Sequence, residues 1–484
     1  MKKIILLNLL LVMATALVAQ EDLTGFNCST IIVGKDASKT GSVLIGHNED
    51  DGGTQLINYL KTDPQDHAVN SMVFLKNGAE VNQVSHTFGY IWLDMPGQNF
   101  ADSFLNNNGV LVTSNSTPSI ETFGEIVDGG IGYNLRVIIA QRAESARHGV
   151  ELAGELISEV GYNAAGRTYT IADQNEAWIL SVVRGKHWVA QRVADDHVVY
   201  LPNYYIINNI DLADKTNFLS SEGVIEYAIK RGWFNPEDGE FNFRNVYGSR
   251  RSGSSMSNIG RMWVGVQSLE LKEYKIDDLF PTSFKPAYKI GKEEIMEVLS
   301  NHYEGTHLDN SNGYKNGSPH SNKTMNICAA HQQMSFIAEL RAGMAPEVGC
   351  VIWTAPRRGC VNPFIPLYLG VTELPEYLSI YGADEAVIKH FDVDEKIYER
   401  DNDFAWWSFV EVAEYVDENY GNRINERINI KNDLQSQFFI LFEEVDKEVL
   451  RSWKSDRNSA ENIINNFARE VFDLALKSNS EYLK

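Results

Sequence analysis

The chain has 484 residues, 43% hydrophobic and 11% aromatic, enough apolar surface for a large core and, at the usual domain size, roughly two or three structural units. Its 65 acidic against 43 basic residues give a formal charge of -22, which argues against nucleic acid as a partner, because phosphates demand basic patches. After the first residues no stretch reaches the about eighteen apolar residues of a membrane span, so the mature chain is expected to stay out of the bilayer.

The start reads as an export signal. Lys2 and Lys3 supply the charge, Ile4 to Met13 the apolar run, and Ala14-Thr15-Ala16 or the neighbourhood of Ala19 and Gln20 the cleavage zone. The destination is then periplasmic or extracellular. Cys28 follows shortly and opens Cys28-Ser29-Thr30-Ile31-Ile32-Val33-Gly34, which leads to His47-Asn48-Glu49-Asp50. Strands are predicted over Thr30 to Val33 and Val43 to Gly46, then Ser71 to Leu75, Phe88 to Leu93 and Val110 to Ser114, the last preceded by the turn signal Asn106-Asn107-Asn108-Gly109.

Helical spacing runs from Tyr133 to Val160, with Arg147-His148-Gly149 as the joint between two helices. Strands return at Thr168 to Ala172, Ala177 to Val183, Trp188 to Arg192 and Val198 to Leu201. Asn217 to Lys230 and Met256 to Leu269 are predicted helical, and Tyr303 to Asn322, rich in Asn, Gly and Ser, an exposed loop. Phe404 to Leu483 alternates charged and apolar residues at helical period in about three segments, a helical appendage. Strands, helices and strands again favour an α+β architecture of layered sheets covered by helices.

The four cysteines are Cys28, Cys328, Cys350 and Cys360. If Cys28 stays a thiol, at least one other is unpaired; Cys350 and Cys360 are the candidate disulfide, with buried apolar thiols as the alternative. The cysteines are scattered, and His320 and His331 lack a partner at ligand spacing, so no metal site is expected. There is no GxSxG elbow, P-loop, HExxH or placed GxGxxG. A cysteine at a mature N-terminus needs none of these, because its own α-amine, titrating near pH 8, can take the thiol proton.

Cys-Ser-Thr-Ile-Ile-Val-Gly, Gly-His-Asn-Glu-Asp, Ala-Asp-Gln-Asn-Glu-Ala-Trp, Leu201-Pro202-Asn203 and Thr354-Ala355-Pro356-Arg357-Arg358-Gly359-Cys360-Val361-Asn362-Pro363-Phe364 follow one another over nearly the whole mature chain. In that order they resemble the bacterial cysteine dipeptidases of the N-terminal nucleophile hydrolase superfamily, peptidase family C69. The resemblance implies a four-layer αββα sandwich, autocatalytic removal of a propeptide at 21–27, a catalytic domain over 28–400 and a helical region over 401–484. It also implies hydrolysis of dipeptides or short peptides with no metal or organic cofactor; a homo-oligomer is compatible with it.

Comparison with penicillin V acylases and bile salt hydrolases of that superfamily implies roles for individual residues. Cys28 matches the nucleophile, Asp50 the acid that orients the α-amine, Asn203 an oxyanion-stabilising asparagine and Asn115 a second oxyanion contact. Arg261, in Ser254-Ser255-Met256-Ser257-Asn258-Ile259-Gly260-Arg261, matches a catalytic-site arginine, in preference to Arg250 and Arg251. This chain departs from the acylases in carrying His47 where they carry arginine. Two other readings stay open: an acylase acting on non-peptide amides, and a non-catalytic exported binding protein in which Cys28 is a buried structural thiol.

Overall fold

Residues 28–50, 56–321 and 325–484 are described by the structure, a computed structural model; the predicted signal peptide and propeptide lie outside them. In chain order the main elements begin with β1 (Ser29–Val33), β2 (Val43–Asp50), β3 (Asn58–Thr62), β4 (Tyr90–Asp94), β5 (Ser103–Asn106) and β6 (Leu111–Ser116). Helices α1 (Asn134–Arg142) and α2 (Ala146–Val160) follow, then β7 (Tyr162–Ala172), β8 (Ala177–Gly185), β9 (Trp188–Arg192), β10 (Val198–Leu201) and β11 (Phe218–Ser220). The remainder is α3 (Met256–Glu270), α4 (Lys292–Leu299), β12 (Gln332–Leu340), β13 (Cys350–Pro356), β14 (Ile365–Tyr368), α5 (Ala405–Glu418), α6 (Tyr420–Ser455) and α7 (Arg457–Tyr482).

The strands form a six-stranded sheet ordered β10-β1-β2-β12-β13-β14 and an eight-stranded sheet that is a near-continuous meander, β11-β9-β8-β7-β6-β5-β4-β3. All pairings within the two sheets are antiparallel. Side-chain alternation shows how they stack. Along β8, Trp178, Leu180 and Val182 share a cluster with Leu135, Ile138 and Val150 of α1 and α2, whereas Ala177, Ile179 and Val183 join Ile32, Ile45 and Val199 of the other sheet. The eight-stranded sheet is therefore covered by α1 and α2 on one face and by the six-stranded sheet on the other. On the six-stranded sheet, α4 lies so close to β2 that a Cβ at Gly46 would come within 2.4 Å of the Ile295 side chain. Helices outside two stacked sheets give the αββα order, and the fold is α+β. Helices α5, α6 and α7 pack into the same core as β13 and β14.

Several expected elements shift. The break between α1 and α2 falls at 143–145, where the Ser145 side chain accepts from the His148 amide as an N-cap, and Arg147-His148-Gly149 already belongs to the first turn of α2. Asn217 to Lys230 is not one helix: Phe218–Ser220 pairs with β9, and only Val224–Lys230 is helical. Tyr303 to Asn322 has a single short 3-10 turn at Pro319–Ser321 but is not simply exposed, since Tyr303, Ser311 and His320 are buried. Cys350 and Cys360 are both free thiols in different surroundings, Cys350 beside Gly109 and Cys360 beside His320. Among the described residues no helix is long and apolar enough to cross a membrane.

Candidate active site

Strand β2 is buried along its whole length, although its second half reads His47-Asn48-Glu49-Asp50. A buried strand of this kind sends alternate polar side chains to opposite faces. Thr30 of β1 pairs with His47, and Ser29 pairs with Asn48, so Cys28, Thr30, His47 and Glu49 share the face toward the eight-stranded sheet. There the Cys28 thiol donates to Glu49 Oε1 at 3.2 Å, and Glu49 Oε2 lies 3.1 Å from His47 Nε2. The Thr30 hydroxyl donates to Asn115 Oδ1 at 2.6 Å, and Asn115 Nδ2 donates to the Leu201 carbonyl at 3.0 Å. With its only proton given to Asn115, Thr30 Oγ1 accepts from His47 Nδ1 at 2.8 Å. The chain Asn115, Thr30, His47, Glu49, Cys28 is continuous and runs from one sheet to the other.

The opposite face is organised by Arg261, fully buried on α3. Its Nη1 donates to the Cys28 carbonyl at 2.7 Å and to Ser29 Oγ at 3.3 Å; its Nη2 donates to Asn203 Oδ1 at 2.9 Å and Asn258 Oδ1 at 2.6 Å. Asn203 is held on its main chain as well, its carbonyl accepting from Ser252 Oγ and Asn258 Nδ2. With Oδ1 engaged, Asn203 Nδ2 is a buried donor without a partner, and both carboxylate oxygens of Asp50 are buried acceptors without one. Unsatisfied buried polar groups cost free energy, and these two, an acceptor and a donor, lie in the contact network of Cys28 and Arg261.

Burial, then the nearby Glu49 and Asp50 carboxylates, push the Cys28 thiol well above its ordinary range, against a weaker pull from the Asp50 main chain. Burial likewise raises the Asp50 carboxyl well above its usual value; Arg261 opposes this, Glu49 adds to it, and Arg357 and Arg358 oppose it. Burial and the adjoining carboxylates thus both disfavour a thiolate at Cys28.

All five sequence-selected residues, Cys28, Asp50, Asn115, Asn203 and Arg261, are buried and joined through these contacts or charges. Asn115 has its amide engaged at both ends and reaches Cys28 only through Thr30, His47 and Glu49. Glu49, Thr30 and Asn258 were not selected from the sequence. Glu49 had a signal: if the strand continues past Gly46, period-2 alternation puts Glu49 on the face of His47 and Thr30.

Two more polar clusters are buried elsewhere. Sequence spacing predicted no metal site, yet His302, His320, Cys328 and Cys360 bring their donor atoms within 4.8 Å of one another, a set that could hold an ion. Asp94, Asp102 and His390 form the other. His390 Nδ1 donates to Asp94 Oδ1 at 2.7 Å and Nε2 to the Gln98 carbonyl at 2.8 Å, so the ring carries both protons. Burial raises Asp102 to about 6 even though His390 opposes it.

A profile of peptidase family C69 matches residues 27–433. The chain is 26% identical over 382 residues to a Latilactobacillus sakei protein named "Probable dipeptidase", covering 74% of this chain and 78% of that one. It is 27% identical to Dipeptidase A of Lactobacillus helveticus, covering 72% and 76%. Among solved structures, penicillin V acylase from Agrobacterium tumefaciens aligns at 11% identity with a TM-score of 0.34, covering 74% of this chain and 89% of that one.

Proposed function

The chain belongs to peptidase family C69, and from that membership we propose that it is an exported cysteine dipeptidase whose nucleophile, Cys28, becomes the N-terminal residue by self-cleavage. The observation that carries this is the buried Asp50 carboxyl, without a hydrogen-bond partner among the described residues and beside a cysteine whose thiol burial, then the neighbouring carboxylates, push well above its ordinary range. Hydrolysis of the Asn27-Cys28 bond makes the Cys28 nitrogen an amine; protonated, it supplies a cation and a charge-assisted partner for Asp50. The names of the similar dipeptidases support the substrate class.

Processing starts from the uncleaved chain, where the Cys28 nitrogen is an amide with no basic lone pair. Glu49, 3.2 Å from the sulfur, is then the base that takes the thiol proton. The sulfur attacks the Asn27 carbonyl carbon, the peptide C–N bond breaks as the nitrogen takes a proton and becomes the free α-amine, and water then cleaves the S–C bond of the resulting thioester, releasing the propeptide as an acid and restoring the Cys28 thiol.

In turnover the amine accepts the thiol proton, and the sulfur attacks the carbonyl of the bound dipeptide. The oxyanion is met by Asn203 Nδ2, the donor left free while Arg261 holds Oδ1. The ammonium returns its proton to the leaving nitrogen, the C–N bond breaks, and a thioester remains. Water, deprotonated by the amine, cleaves the S–C bond and restores the thiol. Arg261, bonded to the Cys28 carbonyl, positions nucleophile and oxyanion donor together.

A panel of dipeptides against N-acyl amides tests the reading. The expected result is hydrolysis of dipeptides, lost in Cys28→Ala; turnover confined to acyl amides would instead make the enzyme an acylase, and no turnover of either would leave a binding protein.

A further inference from the structure

We propose that His302, His320, Cys328 and Cys360 form a closed tetrahedral site for a divalent zinc ion, separate from the catalytic cysteine. Sequence spacing hides it, because the four come from the residues after α4, the Pro319–Ser321 turn, the approach to β12 and the turn after β13.

The histidines carry the argument. His302 Nδ1 faces Glu304 Oε1 at 2.7 Å, and His320 Nδ1 faces Asp417 Oδ1 at 2.7 Å, so each ring gives its Nδ1 proton to a carboxylate. That leaves two Nε2 lone pairs pointing at each other across 3.0 Å. Cys328 Sγ and Cys360 Sγ lie 3.7 and 3.6 Å from the same His320 Nε2. Two imidazole lone pairs and two thiol sulfurs converge on one buried point, a donor set that binds a divalent cation in exchange for the two thiol protons.

The dimensions fit zinc. Bonds of about 2.0–2.1 Å to nitrogen and about 2.3 Å to sulfur set the N···S edges of a tetrahedron near about 3.6 Å and the N···N edge near about 3.3 Å. The two N···S distances from His320 are 3.6 and 3.7 Å, all the donor atoms lie within 4.8 Å of one another, and the N···N distance of 3.0 Å need open only slightly. Two sulfurs with two imidazoles suit Zn²⁺ over the oxygen-seeking Mg²⁺ or Ca²⁺. The carboxylate behind each histidine is the usual outer support of a zinc ligand, and Asp417 is itself fixed by the Arg358 guanidinium at 2.5 Å. A cavity of about 440 Å³ lined by His302, Glu304, Cys360 and Tyr420 gives the ion a way in.

Four protein ligands leave no open position for water, so the ion is structural. It ties His302 after α4, the Pro319–Ser321 turn, Cys328 and the turn after β13 to α5, which contributes Asp417. Asn48 of β2 donates to the carbonyls of Leu299 and Ile327 at 2.9 and 2.8 Å, so the tied segment also supports the strand that carries Glu49 and Asp50.

The test is elemental analysis with intact-mass measurement on the purified full chain after exposure to Zn²⁺ and removal of loose metal. About one zinc per chain is expected in wild type and in Cys28→Ser, and none in Cys360→Ser. Replacement by Co²⁺ should produce a thiolate-to-cobalt charge-transfer band that Cys360→Ser lacks. Asp417→Asn, which keeps all four ligands, should weaken zinc about 10–100-fold in chelator competition. A folded, active wild type that holds no zinc would overturn the proposal, as would a mass short by two hydrogens from a Cys328–Cys360 disulfide; unchanged affinity in Asp417→Asn would contradict the histidine arrangement.

Discussion

Two buried clusters adjoin the end of β2, each with cysteine, histidine, carboxylate and arginine, and they differ in what their polar groups still lack. Around Cys28, Asp50 and Asn203 Nδ2 are buried without partners, and no single small ion could serve both, one being an anionic acceptor and the other a donor. Around Cys360, four donors converge on one point and each histidine has its carboxylate behind it. On the proposed reading the first arrangement is completed by an ammonium and a transient oxyanion, and on the proposed zinc site the second by one permanent cation. A similar set of residue types thus makes a reactive site in one place and a fastening in the other.

Substitution should separate the two. The largest effect is expected from Cys28→Ala, which abolishes dipeptide turnover while leaving the melting temperature near wild type; Cys360→Ser should do the reverse, lowering the melting temperature with kcat per folded molecule nearly kept. If both variants lost activity and stability together, the clusters would be one unit. Next is Asn203→Ala, expected to lower kcat by about 10²–10³ with a smaller change in KM, because the amide acts in the transition state. A change in KM alone would make Asn203 a substrate-binding residue.

Asp50→Asn sharpens the contrast further. Losing a charge-assisted hydrogen bond of about 1.5–3 kcal/mol should slow turnover roughly 10–100-fold. In the unprocessed Cys28→Ala background the same change should raise the melting temperature, since it removes a carboxylate whose charge burial disfavours. A carboxyl raised in the folded state contributes stability at low pH and loses it as pH rises through the raised value, so this gain should shrink on acidification. Differential scanning fluorimetry of the double variant across pH checks both points.

The smallest effect concerns Asp102, in a third cluster away from both. Its carboxyl, raised by burial to about 6, contributes stability below the ordinary carboxylate range and loses it as pH climbs through about 6. Asp102→Asn should therefore gain on wild type as pH rises from about 4 to about 6, by up to about 3 kcal/mol if the full shift is expressed. Turnover should not change. Parallel denaturation curves at each pH report the difference; a constant difference would show that Asp102 is not neutralised in the fold.

The layered fold was readable because β-branched and aromatic residues concentrate in short segments such as Trp188–Arg192 and Val198–Leu201, whose observed limits coincide with the predicted ones. It was less readable where a strand carries buried polar side chains: reading β2 only to Gly46 left His47 to Asp50 outside the strand and concealed Glu49. Strands β12, β13 and β14 were not anticipated, although β12 flanks β2 directly. Asn203 and Arg261 were found through ordered motifs, whereas their hydrogen bond is a tertiary fact 58 residues apart. The four zinc donors left no local trace, because ligand spacing rules describe short loops and these donors are spread from 302 to 360.

The account rests on a free α-amine at Cys28, and intact-mass measurement of exported wild type beside Cys28→Ala tests it most directly. The predicted result is an active wild type that begins at Cys28 and an inactive Ala variant that keeps the residues before it. An active wild type that retains Glu21 to Asn27 would contradict the account, because its Cys28 nitrogen would be an amide unable to act as a base.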